Sequence, residues 1–429
     1  MYESTASRSV LSACILASSL LFCPTAARSQ GSDLPDSLSF ETAARFFLTY
    51  NPALDEARAR ARRAAAEARI PSVWPNPSVS VDDERASSEQ SVAFEQDIPN
   101  PATMRSRTAS ARADASAAAA SYQASAADLY LELRLHYLHA AAAEMRLNAL
   151  DRIAAAIDRA AEIARIRLEE GDLGTFDVQR LGVAAATYAD ALEELRVESR
   201  TEHLAIRSMI APAPAGPLDD VTFTVSDRLT CEPVALEAEV FVDGALANRA
   251  VVRAAESRLE AAEHRLDAER ASRWSGFSVT AGVGREGESG SIGPVIGLGT
   301  NLPLWNRNGV QIAAALAGVE EAVYALEAQR RTATNEVSAA LVRVQSYRER
   351  LDGIGAELLA GTDSLLVDAL FLYDEGETGL VDLLGAAEAA RDARLLRLSL
   401  VEGCLESRYE LERAAGIRPE EIASFMLHQ

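Results

Sequence analysis

The chain has 429 residues, with 64 acidic side chains against 42 lysines and arginines, and a formal charge of −22. So acidic a chain is a poor partner for nucleic acid, and its length suffices for two or three ordinary globular domains. It contains no lysine, so every such cation is an arginine.

Residues 1–30 read as an export signal. Arg8 gives a positive start, Val10–Phe22 an apolar stretch, and Thr25-Ala26-Ala27 or Ala27-Arg28-Ser29 a small-residue cleavage site. The stretch is too short for a transmembrane helix, and no later run reaches eighteen uninterrupted apolar residues. A lipid on Cys23 stays an open alternative. Cys231 and Cys404 remain after cleavage, either as a disulfide between the middle segment and the last helix or as two separate buried thiols.

A first repeat is expected over 31–217. Ser39–Arg69 reads as an Ala/Arg-rich helix interrupted near Asn51-Pro52, and Pro71, Pro75 and Pro77 then exclude helix. Val79–Asp82 and Val92–Glu95 alternate apolar and polar residues around a polar turn, predicting a β-hairpin within 73–98. A helical hairpin over 102–210 follows, free of Gly and Pro from Thr103 to Glu170. Its apolar seam runs Tyr122, Ala126, Leu129, Leu133, His136, Ala140, Ala143, Leu147, Leu150, Ala154, Ile157, Ala161, Ala164, Leu168, a heptad spacing typical of coiled coils. The return strand of the hairpin carries Val178, Leu181, Ala185, Tyr188, Leu192 and Leu195. Residues 218–234 form a connector with a strand signal at Val221–Val225.

The second repeat, 235–416, restates the plan. A helix over Ala235–Arg273 leads to a Gly-rich hairpin at 276–301 and a helical hairpin over 309–415, with 417–429 as tail. The second seam runs Leu316, Val319, Val323, Leu326, Arg330, Ala333, Val337, Ala340, Val344, Tyr347, Leu351, Ile354, Leu358. Gly353, Gly355 and Gly361 mark a bend in that helix. Gly282-x-Gly284-x-x-Gly287 matches a dinucleotide fingerprint in letters only. It opens no helix and reads as a barrel turn.

Each helical hairpin folds back at a short acidic tip, 171–174 and 376–379. Gly171 and Gly376 stand 205 residues apart, and the same offset pairs Asp172 with Glu377, Gly174 with Gly379, Asp177 with Asp382 and Val178 with Leu383. The chain is therefore two copies of one unit. Two β-hairpins give four strands, too few to close a barrel, and a bilayer does not tolerate open sheet edges. Strands in a membrane would have to be pooled by several chains, three of which give twelve. The alternative is two soluble caps on a coiled-coil rod.

The two-fold repeat and the paired Gly-x-x-x-x-x-Asp-(Val/Leu) at Gly171–Val178 and Gly376–Leu383 resemble the TolC family of outer-membrane efflux channels. Asp97-Ile98-Pro99 and Leu302–Gly309, each closing a hairpin, are similar to its heavy-metal (cobalt–zinc–cadmium type) branch. The resemblance implies a mainly α chain with a small β part: long antiparallel coiled-coil hairpins plus four strands contributed to a twelve-stranded barrel in a homotrimer. It implies contact with outer-membrane lipid, a periplasmic adaptor (membrane fusion) protein at the tips and an inner-membrane RND-type pump behind it. Carried over, the docking positions are Gly171, Asp172, Leu173, Gly376, Glu377 and Thr378, and the tunnel aperture or gate takes Asp177, Tyr373 and Asp382. Thr378 stands where some members have a gate arginine, and Gly385 where some carry a further acidic ring.

Read on their own, the acidic tips are either a solvated loop or a ring of carboxylates that attracts cations. No His, Ser or Cys partner sits near either tip in sequence, so a hydrolytic pair is not built there and no enzyme activity is expected. No Cys/His cluster has metal-ligand spacing, His136 reads as a packed seam residue, and neither cofactor nor resident metal is expected. Trp74 and Trp305 flank the strands, either as an interfacial belt or as caps on the hairpin bases. The expected function is a passive exit duct for metal cations. A duct for type I protein secretion or drug efflux and a non-channel periplasmic scaffold are the alternatives.

Overall fold

The computed structural model describes residues 35–416 apart from 85–88, 212–222, 226–228, 232–237, 275, 287–290 and 355. The expected leader, Cys23 and the tail 417–429 lie outside the described residues.

Helices α1 (Phe40–Tyr50) and α2 (Pro52–Glu67) are separated at Asn51, and the reason is local. Pro52 cannot donate to the preceding turn, while the Asn51 side chain caps α2 by accepting from Leu54 N at 2.9 Å and donates to Met209 O at 3.1 Å. A 3-10 turn, Ile70–Ser72, leads to a sheet. Strand β1 (Ser37–Leu38) pairs in parallel with β4 (Thr224–Val225) as a small separate ladder.

The main sheet is an antiparallel ribbon in the order β2 (Ser78–Glu84), β3 (Glu89–Ile98), β5 (Phe277–Glu286), β6 (Ser291–Thr300). Its register places Val79 opposite Phe94, Phe94 opposite Ala281, and Ala281 opposite Ile296. Val81, Val92 and Val283 share that face, as do Val279 and Leu298. The opposite face carries Ser80, Ala93, Gly282, Thr280 and Gly297. The apolar face is largely exposed, and among the described residues β2 and β6 each have one unpaired edge. Gly282 and Gly284 lie within β5, not in a turn: both sit against the neighbouring strands, where a side chain would find little room.

The helical part starts from α3 (Pro101–Glu170), whose 70 residues at about 1.5 Å each make a rod of roughly 105 Å. It pairs with α4 (Thr175–Ile210). In the second repeat the expected single helix is broken into α5 (Ala238–Asn248) and α6 (Ala250–Ala271). Arg249 adopts an extended conformation at the break. There its guanidinium bonds to Glu336 at 2.5 Å, a long-range tie that a straight helix would not reach in the same way. Helix α7 (Gly309–Gly353) ends at the glycines, and α8 (Ala356–Asp374) carries the chain to the second tip, from which α9 (Leu380–Ala414) returns.

The core of this bundle near the tips is shared by both repeats: Leu150, Ile157, Ala164, Leu181, Tyr188, Leu366, Leu383 and Ala390 form one cluster. Ile153 and Ala160 are buried where the seam was expected to run through Ala154 and Ala161. In α7 the buried seam begins at Leu326, whereas Leu316, Val323 and Arg330 are exposed on the isolated chain. His136 is half-buried on the seam with Nδ1 at hydrogen-bond distance, 2.7 Å, from Glu202 Oε2. Buried Arg134 ties α3 to α9 through Glu412 and stacks 3.6 Å from the Tyr409 ring centroid.

The connector is anchored twice. Cys231 is disulfide-bonded to Cys404 of α9, which decides between the two cysteine readings. Val225 N donates to Glu144 Oε1 at 3.3 Å, and the same carboxylate lies 3.2 Å from Nε2 of buried His203, whose Nδ1 donates to Ser199 O. Burial alone would lower the His203 pKa. The bonds to Glu144 and Ser199 O, with the charges of Glu144 and Glu202, outweigh it, and the net shift is upward. A raised histidine pKa adds stability that is complete below the unfolded value near 6.5 and is lost as pH rises through the folded one. Melting temperature is therefore expected to fall as pH rises above about 6.5, and His203→Gln to flatten that part of the profile. An unchanged profile in the variant would remove this ion pair as its cause.

Candidate functional site: the paired tips

Both tips are built by the same backbone device. Gly171 closes α3 at φ +83° and Gly376 closes α8 at φ +77°, a region costly for a residue with a side chain. At the first tip Asp172 N donates to Arg167 O at 2.9 Å and Gly171 N to Leu168 O at 3.2 Å. At the second, Glu377 N donates to Leu372 O at 2.9 Å and Gly376 N to Tyr373 O at 3.2 Å. These are paired Schellman closures, satisfying carbonyls that would otherwise be orphaned. Gly174 and Gly379 then open the returning helices from extended conformations.

The returning helices place Asp177 and Asp382 in their first turns, where a carboxylate is favoured by the helix dipole. Asp382 is exposed and accepts from Thr378 Oγ1 at 3.1 Å. Asp177 is half-buried. Gly171, Asp172, Gly376 and Glu377 are exposed, while Leu173 and Thr378 are half-buried, Leu173 against the shared core.

Tyr373 is only 1% exposed and belongs to that core. Burial raises its pKa; nearby Arg167 opposes the shift and Asp177 adds to it. Arg167 bridges the repeats: its Nη1 donates to Tyr373 O at 3.2 Å, and its guanidinium lies 5.8 Å from the Tyr373 ring centroid. The structure thus sets Tyr373 and Gly376 against an arginine that sequence reading passed over, with the Asp177 charge acting on Tyr373. Its one signal was asymmetry, since Arg167 is matched by Leu372 in the second repeat.

A second feature was also passed over. Ile166 and Phe176 of the first tip, and Phe371 and Val381 of the second, are large apolar side chains left exposed. They are related in pairs by the 205-residue offset that relates the tips. Each tip thus presents an acidic loop flanked by two apolar side chains. Among the described residues no group of three or more His, Cys, Asp or Glu side chains is arranged to hold a metal ion.

Residues 241–416 match the family described as outer membrane efflux protein. The chain is 29% identical over 216 residues to the nickel-cobalt-cadmium resistance protein NccC of Alcaligenes xylosoxydans xylosoxydans, covering 48% of this chain and 47% of that protein. It is 34% identical over 136 residues to the nickel and cobalt resistance protein CnrC of Cupriavidus metallidurans, covering 30% and 31%. The chain thus matches about half or less of the length of these curated relatives. The crystal structure of the Campylobacter jejuni CmeC outer membrane channel superposes with a TM-score of 0.75 at 16% identity, over 90% of this chain and 88% of that one. The second repeat thus matches the outer membrane efflux family, nine-tenths of the chain has the fold of a solved outer-membrane channel, and the relatives named above are heavy-metal resistance proteins.

Proposed function

We propose that this chain assembles as a homotrimer whose twelve pooled strands form one barrel, and that the trimer is the exit duct of a tripartite pump for divalent metal cations. The observation that carries this is the ribbon. Its strands β3, β5 and β6 each have 10 residues, the length a tilted strand needs to cross a hydrocarbon core. It has one apolar face, one polar and Gly-rich face, and two unpaired edges. Such a sheet is stable in a bilayer only when its edges are closed by copies of itself. The exposed apolar side chains Leu316 and Val323 of α7 extend the same need for a neighbour below the ribbon.

At the other end, the exposed Ile166, Phe176, Phe371 and Val381 with their acidic loops are suited to a periplasmic adaptor's helical hairpin. An inner-membrane RND-type pump would supply the energy. Metal as cargo rests on the resistance proteins named above. The gate is the cluster of Tyr373, Arg167 and Asp177, biased open when adaptor contacts favour that state. Asp382, repeated three times around an aperture, would concentrate cations there.

In planar bilayers the purified chain is expected to conduct as a trimer, with divalent cations blocking from the tip side and Asp382→Asn weakening that block. Absence of conductance would sink the duct, and unaltered block in the variant would remove the role of Asp382. A deletion strain is expected to lose tolerance to nickel, cobalt or cadmium. Lost tolerance to drugs alone would reassign the cargo.

A further inference from the structure

All three tryptophans of the chain lie at the base of the ribbon: Trp74 ahead of β2, Trp274 ahead of β5, and Trp305 after β6, exposed by 56%, 65% and 93%. The same junction concentrates exposed arginines in a strongly acidic chain. Arg105 and Arg107 stand in the first two turns of α3, Arg273 beside Trp274 and Arg307 beside Asn306, all exposed, and none is in an ion pair among the described residues. Of the nearby acids, Glu67 and Glu269 are engaged, by Arg63 and by Asn308, and Glu95 and Asp97 at the foot of β3 share the ribbon face of Ala93, opposite the apolar one. The tips show the reverse, with Glu169, Glu170, Asp172, Asp374, Glu375 and Glu377 clustered there.

Within this collar is a cavity of about 400 Å³. Ile70, Val73, Met104 and Trp274 give it apolar walls, and Arg107 is its one charged lining residue. Thr103 also lines it: the residue is 8% exposed, and its hydroxyl is buried without a hydrogen-bond partner. That hydroxyl is shielded by the chain itself, so the groove's reach to an outside ligand is through Arg107. An arginine beside an apolar slot, at the level of an aromatic belt, suits a lipid phosphate with its acyl chain directed along the slot.

Building on the reading that the ribbon lies in the outer membrane, we infer that this collar is a binding site for an anionic glycerophospholipid of the periplasmic leaflet. Arg107 receives the phosphate, Trp274 and Ile70 line the first part of the acyl chain, and the exposed arginines around the collar supply the preference for net negative charge. Its role is to fix the depth of the ribbon and to brace the joint between strands and helices.

The test uses the full chain reconstituted in vesicles of phosphatidylcholine with or without phosphatidylglycerol, and native mass spectrometry from detergent carrying each lipid. Retention of phosphatidylglycerol over phosphatidylcholine is expected, and brominated phosphatidylglycerol should quench tryptophan emission more than its zwitterionic counterpart. Arg107→Gln should weaken phosphatidylglycerol retention about fivefold, the weight of one arginine at an anionic surface. The Arg107→Gln variant should keep its β content by circular dichroism. Equal retention of both lipids, or unaltered retention in Arg107→Gln, would overturn the site while leaving the channel reading intact. Failure of the chain to enter either vesicle would overturn both.

Discussion

Gly282→Val is expected to abolish recovery of folded chain from membranes. Gly282 pairs with Ala93 in the β3–β5 ladder, the one place in the main sheet where the two repeats meet. A Cβ there would stand 2.4 Å from Val92 O and 2.7 Å from Ala93 Cα, both backbone atoms that cannot rotate aside. Overpacking against movable side chains costs about 1–3 kcal/mol. Against backbone the strands must separate instead, forfeiting the neighbouring ladder bonds. Gly293→Val is the matched control, since a Cβ at that β6 glycine meets nothing within 4 Å. Circular dichroism and yield from the membrane fraction read the outcome. Equal yields of the two variants would mean that β3 and β5 are not paired in this register.

The second large effect is expected from Cys231→Ser. The Cys231–Cys404 bond spans 173 residues of sequence and holds the connector to α9. Cross-links over loops this long stabilise chiefly by restricting the unfolded chain, and losing one typically costs about 2–5 kcal/mol. The variant should melt well below the parent, and reductant should lower the parent to the variant's value without affecting the variant. Serine is placed at half-buried Cys231 because Cys404 is fully buried, where a hydroxyl would add its own penalty. Identical melting curves for parent and variant would show that the bond contributes nothing.

Much of the fold was legible because the informative residues are those with few alternatives. Pro71, Pro75 and Pro77 bar continuation of an α-helix through them, Pro71 being held in the short 3-10 turn, and alternation at Val79–Asp82 and Val92–Glu95 has one sheet solution. Gly171 and Gly376 occupy the left-handed closures that favour glycine. The helical seams were harder. Where alanines stand side by side, as at Ala140–Ala143, all four are buried, so the sequence holds no contrast to fix the phase of the helix. Ile153 and Ala160 were missed for that reason. The break at Arg249 lacks the proline that marks its counterpart at Asn51, and its tie to Glu336 is a tertiary contact with no local trace. Arg167 belongs to the same class: it acts across the repeats, on the carbonyl of a residue 206 positions away. The exposed pairs Ile166/Phe371 and Phe176/Val381 could have been found by extending the 205-residue comparison beyond the loops themselves.

The unpaired rims of β2 and β6 also bear on biogenesis. A lone ribbon with open rims is barred from hydrocarbon and, in water, is a template for sticking to any extended chain. The apolar side chains Leu316 and Val323 of α7 are left open in the same way, so ribbon and adjoining helix await the same company. In the homotrimer proposed above, insertion should therefore be a collective step whose rate climbs faster than linearly with chain supply.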